Sequence, residues 1–374
     1  MRLLPVWALR PGMEVARKVK YGTGAPLLNA GVKLQMDYIQ QLKRMDIKAI
    51  YVHDTLIPDI VIEDVIIEET RERAVTLVRK SLMGLKNNGQ FDGASLLVLK
   101  KELSGVLDDI ISQLLDNNNL TVNLSDIRFT DDYTFTHSVN VGILAMMTAI
   151  SCGYNKTVLK HIGLGAFLHD LGKVIVPLSI LNKHGRLSEK EMEEIKKHPV
   201  YGVKLLKSRH LFDSAPMSII LNHHERINGT GYPEGLKEKE IDLYSKVCAI
   251  TDVYDALVSD RPYRPGFKPH RAIEIMEMEC EGFDNRFLQS FLHHIPAYPI
   301  GTIVGLSNGY VGTVVSNYYG DSKRPTVRLL CTRDSFSPVT SEEIDLTERL
   351  NVVVDYVYQD GEIPEDLFLG RTKG

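Results

Sequence analysis

Leu164-Gly165-Ala166-Phe167-Leu168-His169-Asp170-Leu171-Gly172-Lys173 sets a histidine and a carboxylate side by side at the end of an apolar run. A helix carrying this run buries both side chains. Buried charge is costly unless it is paired or bound to a metal, so His169 and Asp170 ask for a metal. The doublet alone is weak, because a single buried histidine is more often a satisfied core residue than a ligand. Other ligand types lie further along. His137 falls in the helical stretch 133–141, and His198 precedes Pro199 near a helix end. His223-His224-Glu225 closes an apolar helix over 218–222, and Asp252 follows the apolar run 247–250. That makes five imidazoles and two carboxylates, each beside a hydrophobic helix able to hold it inward.

Neutral imidazoles suit first-row transition metals, and a carboxylate can bridge two of them. Two such ions about 3.5–4 Å apart can clamp both ends of a phosphodiester displacement. His223 and His224 lie about 100° apart on a helix, given 3.6 residues per turn. They converge on one ion only at a helix end or where an irregular turn follows, and Asn228-Gly229-Thr230-Gly231 supplies that turn. Lys173 sits three residues after Asp170, on the same helix face. A cation there offsets charge on a bridging oxygen or on phosphate. Its alternative is a surface lysine opening a loop, since Gly172 and Pro177 signal a helix stop.

The 374 residues suffice for two or three domains with a sizeable core. With 44% hydrophobic and 25% charged residues, the composition is that of an ordinary soluble globular protein. A net charge of -4 gives no reason to expect binding to a nucleic-acid polymer. Cys152, Cys248, Cys280 and Cys331 are scattered and form no CxxC pair, which points to a reducing compartment. The N-terminus lacks a long apolar stretch, so no signal peptide is expected. The most apolar long stretch, 139–150, is short for a membrane span and carries Asn140. A cytoplasmic protein that does not enter the membrane is the expectation.

Four regions are expected. Residues 1–60, punctuated by Pro11-Gly12, Gly22-Thr23-Gly24 and Asn29-Ala30-Gly31, read as a small β-rich module with a helix near 36–45. Residues 61–120 read as a helical hairpin: Leu96, Leu99, Leu103, Leu107, Ile110 and Leu114 form one apolar face, and 86–92 breaks two helices apart. That face either packs on its own core or pairs chains into a homodimer. Residues 121–296 form a mainly α-helical bundle. Residues 297–374 read as a small β-barrel-like module, with a type I′ hairpin at Asn308-Gly309 and further strands over 327–330 and 351–358.

The order His169-Asp170 with Lys173, His198, His223-His224-Glu225, Gly231-Tyr232-Pro233 and Asp252 resembles the HD-GYP family of cyclic-di-GMP phosphodiesterases. The HD part belongs to a wide superfamily of metal-dependent phosphohydrolases, and the GYP part is narrower. The resemblance runs from about Asp131 to His294, and includes Ile180-Leu181-Asn182-Lys183, Lys197-His198-Pro199 and Ser259-Asp260-Arg261-Pro262-Tyr263-Arg264. It implies an HD-type bundle and roles at matching positions. His137, His169, Asp170 and Asp252 would hold one metal, with Asp170 bridging to a second held by His198, His223 and His224. Lys173 would contact the bridging oxygen or the scissile phosphate. Tyr232 and the GYP turn would shape the pocket mouth and would meet a GGDEF-domain partner. Arg261 and Arg264 would reach substrate phosphate or guanine, which a guanidinium does by bidentate pairing or stacking; salt bridging around Asp260 is their alternative. Asp255, one turn after Asp252, either orients a ligand or caps local structure.

The chain departs from the family at three positions. Some members carry a glutamate four residues before the first histidine and bind three metals. Here that position is Tyr133, so two divalent transition metals are expected, iron or manganese. Asn228 stands where aspartate is common, and both are good turn formers. His184 replaces a common proline. Arg10-Pro11-Gly12-Met13 resembles modules that precede some HD-GYP domains. The implied activity is hydrolysis of cyclic-di-GMP to linear pGpG, and onward to GMP if the pocket is open enough, by in-line attack of a metal-bridging hydroxide. The rivals are a cyclic-di-GMP receptor with little turnover and a phosphohydrolase acting on another cyclic dinucleotide.

Overall fold

The computed structural model describes residues 2–19, 26–45, 47, 49–53, 58–60, 64–86, 93–117, 133–183, 185–207, 213–259, 266–359 and 362. The chain divides into two compact units, one of Asp64–Leu120 and Tyr133–His294, the other of Met1–Glu63, Thr121–Asp132 and Ile295–Gly374.

The smaller unit begins with β1 (Arg2–Pro5), which pairs antiparallel with β2 (Ala49–Val52) and is accompanied by α1 (Met36–Arg44). Leu4, Leu9, Val15, Leu34, Leu42 and Ile50 form the core of this N-terminal part. Among the described residues before Asp64, strand pairing beyond β1 and β2 is limited to isolated bridges such as Glu14 with Lys33 and Val19 with Leu28. Among the described residues the expected β-rich module is thus one short ribbon with a helix, with left-handed turns at Gly12 and Gly31.

At the C-terminal end, β3 (Ile303–Leu306), β4 (Tyr310–Tyr318), β5 (Asp321–Thr332), β6 (Glu343–Asp345) and β7 (Val354–Val357) form an antiparallel sheet in the order β6-β5-β4-β3-β7. This corrects the barrel-like expectation. The edge strands β6 and β7, three and four residues long, do not pair with each other, so the sheet stays open. The hairpin also differs from the expected type. Gly309 has φ 86°, but Asn308 keeps a negative φ, and Gly309 N–H donates to Leu306 O at 2.9 Å. A type I′ turn requires positive φ at both central residues; a three-residue loop ending on a left-handed glycine does not.

Within the same unit, Arg328 pairs at two points with Asp59, both at 2.7 Å, and also reaches Glu343. Hydrogen bonding from Arg328 holds the Asp59 carboxyl at about 2. Because this lies below its unfolded value, the pair's contribution is full above about pH 4 and is lost as pH falls through 2. Asp59 is exposed, so the contribution is small. By NMR, Asp59 is expected to titrate near 2 and to return toward the ordinary range in Arg328→Lys, since a lysine cannot make the two-point pairing. An ordinary titration in the unsubstituted chain would contradict the pairing.

The larger unit is helical: α2 (Glu68–Lys86), α3 (Gly93–Asp116), α4 (Tyr133–Ser151), α5 (Lys156–Leu168), α6 (Leu178–Leu181), α7 (Glu189–Ile195), α8 (His198–Lys207), α9 (Ser214–Asn222), α10 (Leu243–Val258), α11 (Pro269–Met278) and α12 (Asn285–Leu292). Helix α4 is its centre. Val139, Val141, Ile143, Leu144, Ala145, Met146 and Met147 are buried in succession, the signature of a helix enclosed on all sides. It packs against α2, α5, α10 and α12. The hairpin α2–α3 lies on α4 and α5, so the stripe Leu99, Leu103, Leu107, Ile110 and Leu114 is buried within the chain. The side chain of Leu96 lies outside the described residues. No described helix is long and apolar enough to cross a membrane.

Candidate metal centre

The helices deliver their ends to one place. The Asn155 side chain caps the start of α5 by accepting from Val158 N–H, and α5 ends so that His169 is its last turn and Asp170 begins a 3₁₀ turn, Leu171–Val174. Capping residues Ser188 and Glu191 start α7 with reciprocal side-chain bonds, and α8 begins at His198 with Pro199 in its first turn, where proline is tolerated. Helix α9 ends at Asn222, so His223 and His224 stand at a helix end as their adjacency requires. Asp252 and Asp255 come from the middle of α10, and His137 from the first turns of α4.

These residues converge. The donor atoms of Asp170, His198, His223 and His224 lie within 4.8 Å of one another, and so do those of His137, His169 and Asp170. Asp170 is common to both groups. Asp252 joins them, with Oδ1 3.1 Å from His137 Nε2 and 3.8 Å from His169 Nε2, and Oδ2 3.6 Å from His224 Nδ1.

Outer hydrogen bonds set the tautomers. His169 Nδ1 donates to Ala166 O at 2.6 Å, His198 Nδ1 to Ile195 O at 2.8 Å, and His223 Nδ1 to Ile219 O at 3.0 Å. A carbonyl accepts only, so each Nδ1 carries the proton and each neutral ring turns an Nε2 lone pair inward. The Nε2 atoms of His198 and His223 therefore face each other across 3.2 Å. Neither carries a proton to share at neutral pH: burial pushes His198 down to about 4 and His223 well below the ordinary histidine range. Burial likewise lowers His224, although part of its side chain reaches solvent. Asp170 Oδ1 is buried without a hydrogen-bond partner, 3.4 Å from His198 Nε2. Burial raises the Asp170 carboxyl, but the Lys173 ammonium, with the neighbouring imidazoles, outweighs it and holds it well below the carboxylate range. For Asp252, burial is likewise outweighed by its close contact with His137 and by the neighbouring His224 and His169. Inward lone pairs, ionised carboxylates and an unpartnered buried oxygen repel one another unless a cation lies among them. The residues fit divalent metal, and imidazole with carboxylate is a transition-metal donor set.

Lys173 Nζ lies 2.6 Å from Asp170 Oδ2. Tyr232 stacks on His224 with ring centroids 4.6 Å apart. Arg261, Arg264 and His184 lie outside the described residues, as does the side chain of Tyr133.

Three further residues shape the centre. Asp255, whose role the sequence leaves open, is buried with Oδ2 2.6 Å from His137 Nδ1, and it also accepts from Ser259 Oγ. It turns His137 Nε2 toward Asp252 and Asp170. Its spacing of one turn from Asp252 was the available signal. Asp255→Asn is expected to weaken binding of the ion nearest His137 by about 10- to 100-fold, as for other outer-shell partners, with helix content unchanged. Manganese titration checks this, and unchanged affinity contradicts it. Gly172 and Gly231 are required by close approach. A Cβ on Gly172 would lie 1.8 Å from His198 O, and one on Gly231 would lie 2.4 Å from Arg226 N and Glu225 Cα. No local sequence pattern reveals such contacts.

Residues 120–286 match the HD domain family. Over 243 residues the chain is 34% identical to a protein of Pseudomonas aeruginosa named a cyclic di-GMP phosphodiesterase, covering 65% of this chain and 59% of that one. A cyclic di-GMP phosphodiesterase response regulator of Xanthomonas campestris is 31% identical, with 54% and 53% covered. A 3'3'-cGAMP-specific phosphodiesterase of Vibrio cholerae is 32% identical, with 50% and 43% covered. The chain thus spans somewhat over half the length of the first two relatives.

Proposed function

We propose that this chain, whose residues 120–286 match the HD domain family, is a metal-dependent phosphodiesterase of the HD-GYP type that opens a cyclic dinucleotide, cyclic-di-GMP before others. The observation that carries this reading is the pair of ligand groups sharing Asp170. His137, His169, Asp170 and Asp252 would hold one ion; Asp170, His198, His223 and His224 would hold the other. Iron or manganese bound there would supply Lewis acidity and a water of lowered pKa.

The protein's own groups do the rest. The outer carbonyls of Ala166, Ile195 and Ile219 keep three imidazoles in one tautomer, so no proton competes for the inward nitrogens. Asp255 does the same for His137. Lys173 brings a positive charge to the edge of the cluster, where it offsets phosphate charge while pairing with Asp170. Tyr232 gives the mouth an aromatic wall beside His224. Arg261 and Arg264 would hold the second phosphate or a guanine edge. The product would be linear pGpG, with a second cut to GMP if the linear product rebinds.

The 3'3'-cGAMP-specific relative gives a second substrate reading at the same site. Metal-loaded protein should be incubated separately with cyclic-di-GMP, 3'3'-cGAMP and cyclic AMP, and the products resolved by chromatography. Linear dinucleotide from cyclic-di-GMP, with cyclic AMP untouched, is expected. Faster opening of 3'3'-cGAMP would move the specificity to the hybrid. No opening of either dinucleotide with iron or manganese would defeat the proposal.

A further inference from the structure

Glu225 directly follows His223 and His224, yet it belongs to neither ligand group. It is a carboxylate only 2% exposed. Its oxygens are taken by one loop: Oε1 accepts from Glu234 N–H at 2.7 Å and Gly235 N–H at 3.2 Å, and Oε2 from Leu236 N–H at 2.9 Å. Three backbone donors compensate the burial of the carboxylate. The near side of the loop is tied to the same place. Tyr232 N–H donates to His224 O at 3.2 Å, and the chain passes so close over Glu225 at Gly231 that no Cβ fits. The loop is thereby clasped on both sides of Tyr232, whose ring lies stacked on His224 at an interplanar angle of 29°.

We propose that Glu225 is a positioning residue that latches the 231–236 loop through three backbone amides, holding Tyr232 stacked on His224 as a preformed wall of the substrate pocket. A preformed wall lowers the cost of ordering on binding, so its loss acts on substrate capture more than on the chemical step. The kinetic half of this inference rests on the proposed phosphodiesterase activity, and the structural half does not.

Glu225→Gln keeps the size of the side chain but turns one acceptor into an NH₂ donor facing a backbone donor. Hydrogen exchange of the peptide containing residues 234–236 is expected to accelerate by about tenfold or more, the worth of one bond to a charged group. Metal content stays unchanged. The KM for the cyclic dinucleotide rises about tenfold, with kcat changed by less than about threefold. Tyr232→Leu raises KM to a similar extent but leaves the 234–236 amides protected. The double variant is no worse in KM than the worse single one, because both act through the same ring. Unchanged exchange in Glu225→Gln, a fall in kcat with metal loss and no change in KM, or additive effects in the double variant would each overturn the proposal. If Glu225→Gln does not fold, an unmoved KM in Tyr232→Leu overturns it alone. If the unsubstituted protein opens no cyclic dinucleotide, the functional reading fails, and the exchange measurement still decides whether Glu225 is the latch.

Discussion

Gly172→Ala is expected to destabilise the protein by about 3 kcal/mol or more, at the upper end of overpacking effects, and to lower its metal content. The methyl group would meet His198 O at 1.8 Å, His198 C at 2.8 Å and Gly202 N at 2.5 Å. All three are backbone atoms of α8, so no flexible side chain can swing aside. Relief requires separating α8 from the 3₁₀ turn that carries Lys173 and follows Asp170. The substitution therefore strikes both sides of the candidate centre, since His198 and Asp170 lie 3.4 Å apart across that contact. Urea denaturation of metal-free protein reads the loss as a shifted midpoint at constant slope. A shift worth less than about 1 kcal/mol would show that the two segments part more easily than their contacts imply.

Asp170→Ala should have the larger functional effect and the smaller structural one. Both ligand groups contain Asp170, so its removal is expected to empty both and to reduce turnover by a factor on the order of 1,000 or more, beyond the usual loss of a single stabilising group. The metal-free fold should survive. In the absence of metal, Asp170 carries one buried oxygen without a partner among imidazole lone pairs, a cost that offsets what its other oxygen gains from Lys173. Its removal leaves Lys173 without this partner, but 31% of that side chain reaches solvent. Metal-free Asp170→Ala is therefore expected to melt no lower than metal-free unsubstituted protein. A collapse of the metal-free variant would give Asp170 a structural role instead.

The candidate His/Asp cluster was legible because its residues are chemically unusual where they stand: histidines and aspartates beside apolar helices need a reason to be buried. His223-His224 required a helix end, and α9 stops at Asn222. Periodicity likewise exposed the α2–α3 hairpin, though which surface its leucines met depended on how α4 and α5 pack, which spacing within the hairpin does not set. The misread features depend on geometry that residue identity does not set. Asn308-Gly309 is compatible with a type I′ turn, but the extra residue Ser307 in the loop makes it a three-residue connection with only Gly309 left-handed. Short apolar runs around Asn308-Gly309 and over 327–330 announce strands, whereas closure depends on whether β6 and β7 meet, and they do not. Glu225 was visible as a neighbour of His224, but its three partners lie nine to eleven residues on and are backbone amides, which any sequence would supply.

The central claim is that one buried His/Asp cluster holds two ions and that these make the chain a cyclic-dinucleotide phosphodiesterase. The most direct test is an anaerobic titration of metal-free protein with manganese or iron, reading bound metal per chain and cyclic-di-GMP opened at each step. Turnover absent without metal and reaching its plateau at two ions per chain is the expected result. Turnover in metal-free protein, or none at any loading, would contradict the claim; a plateau at three ions would overturn the count drawn from Tyr133.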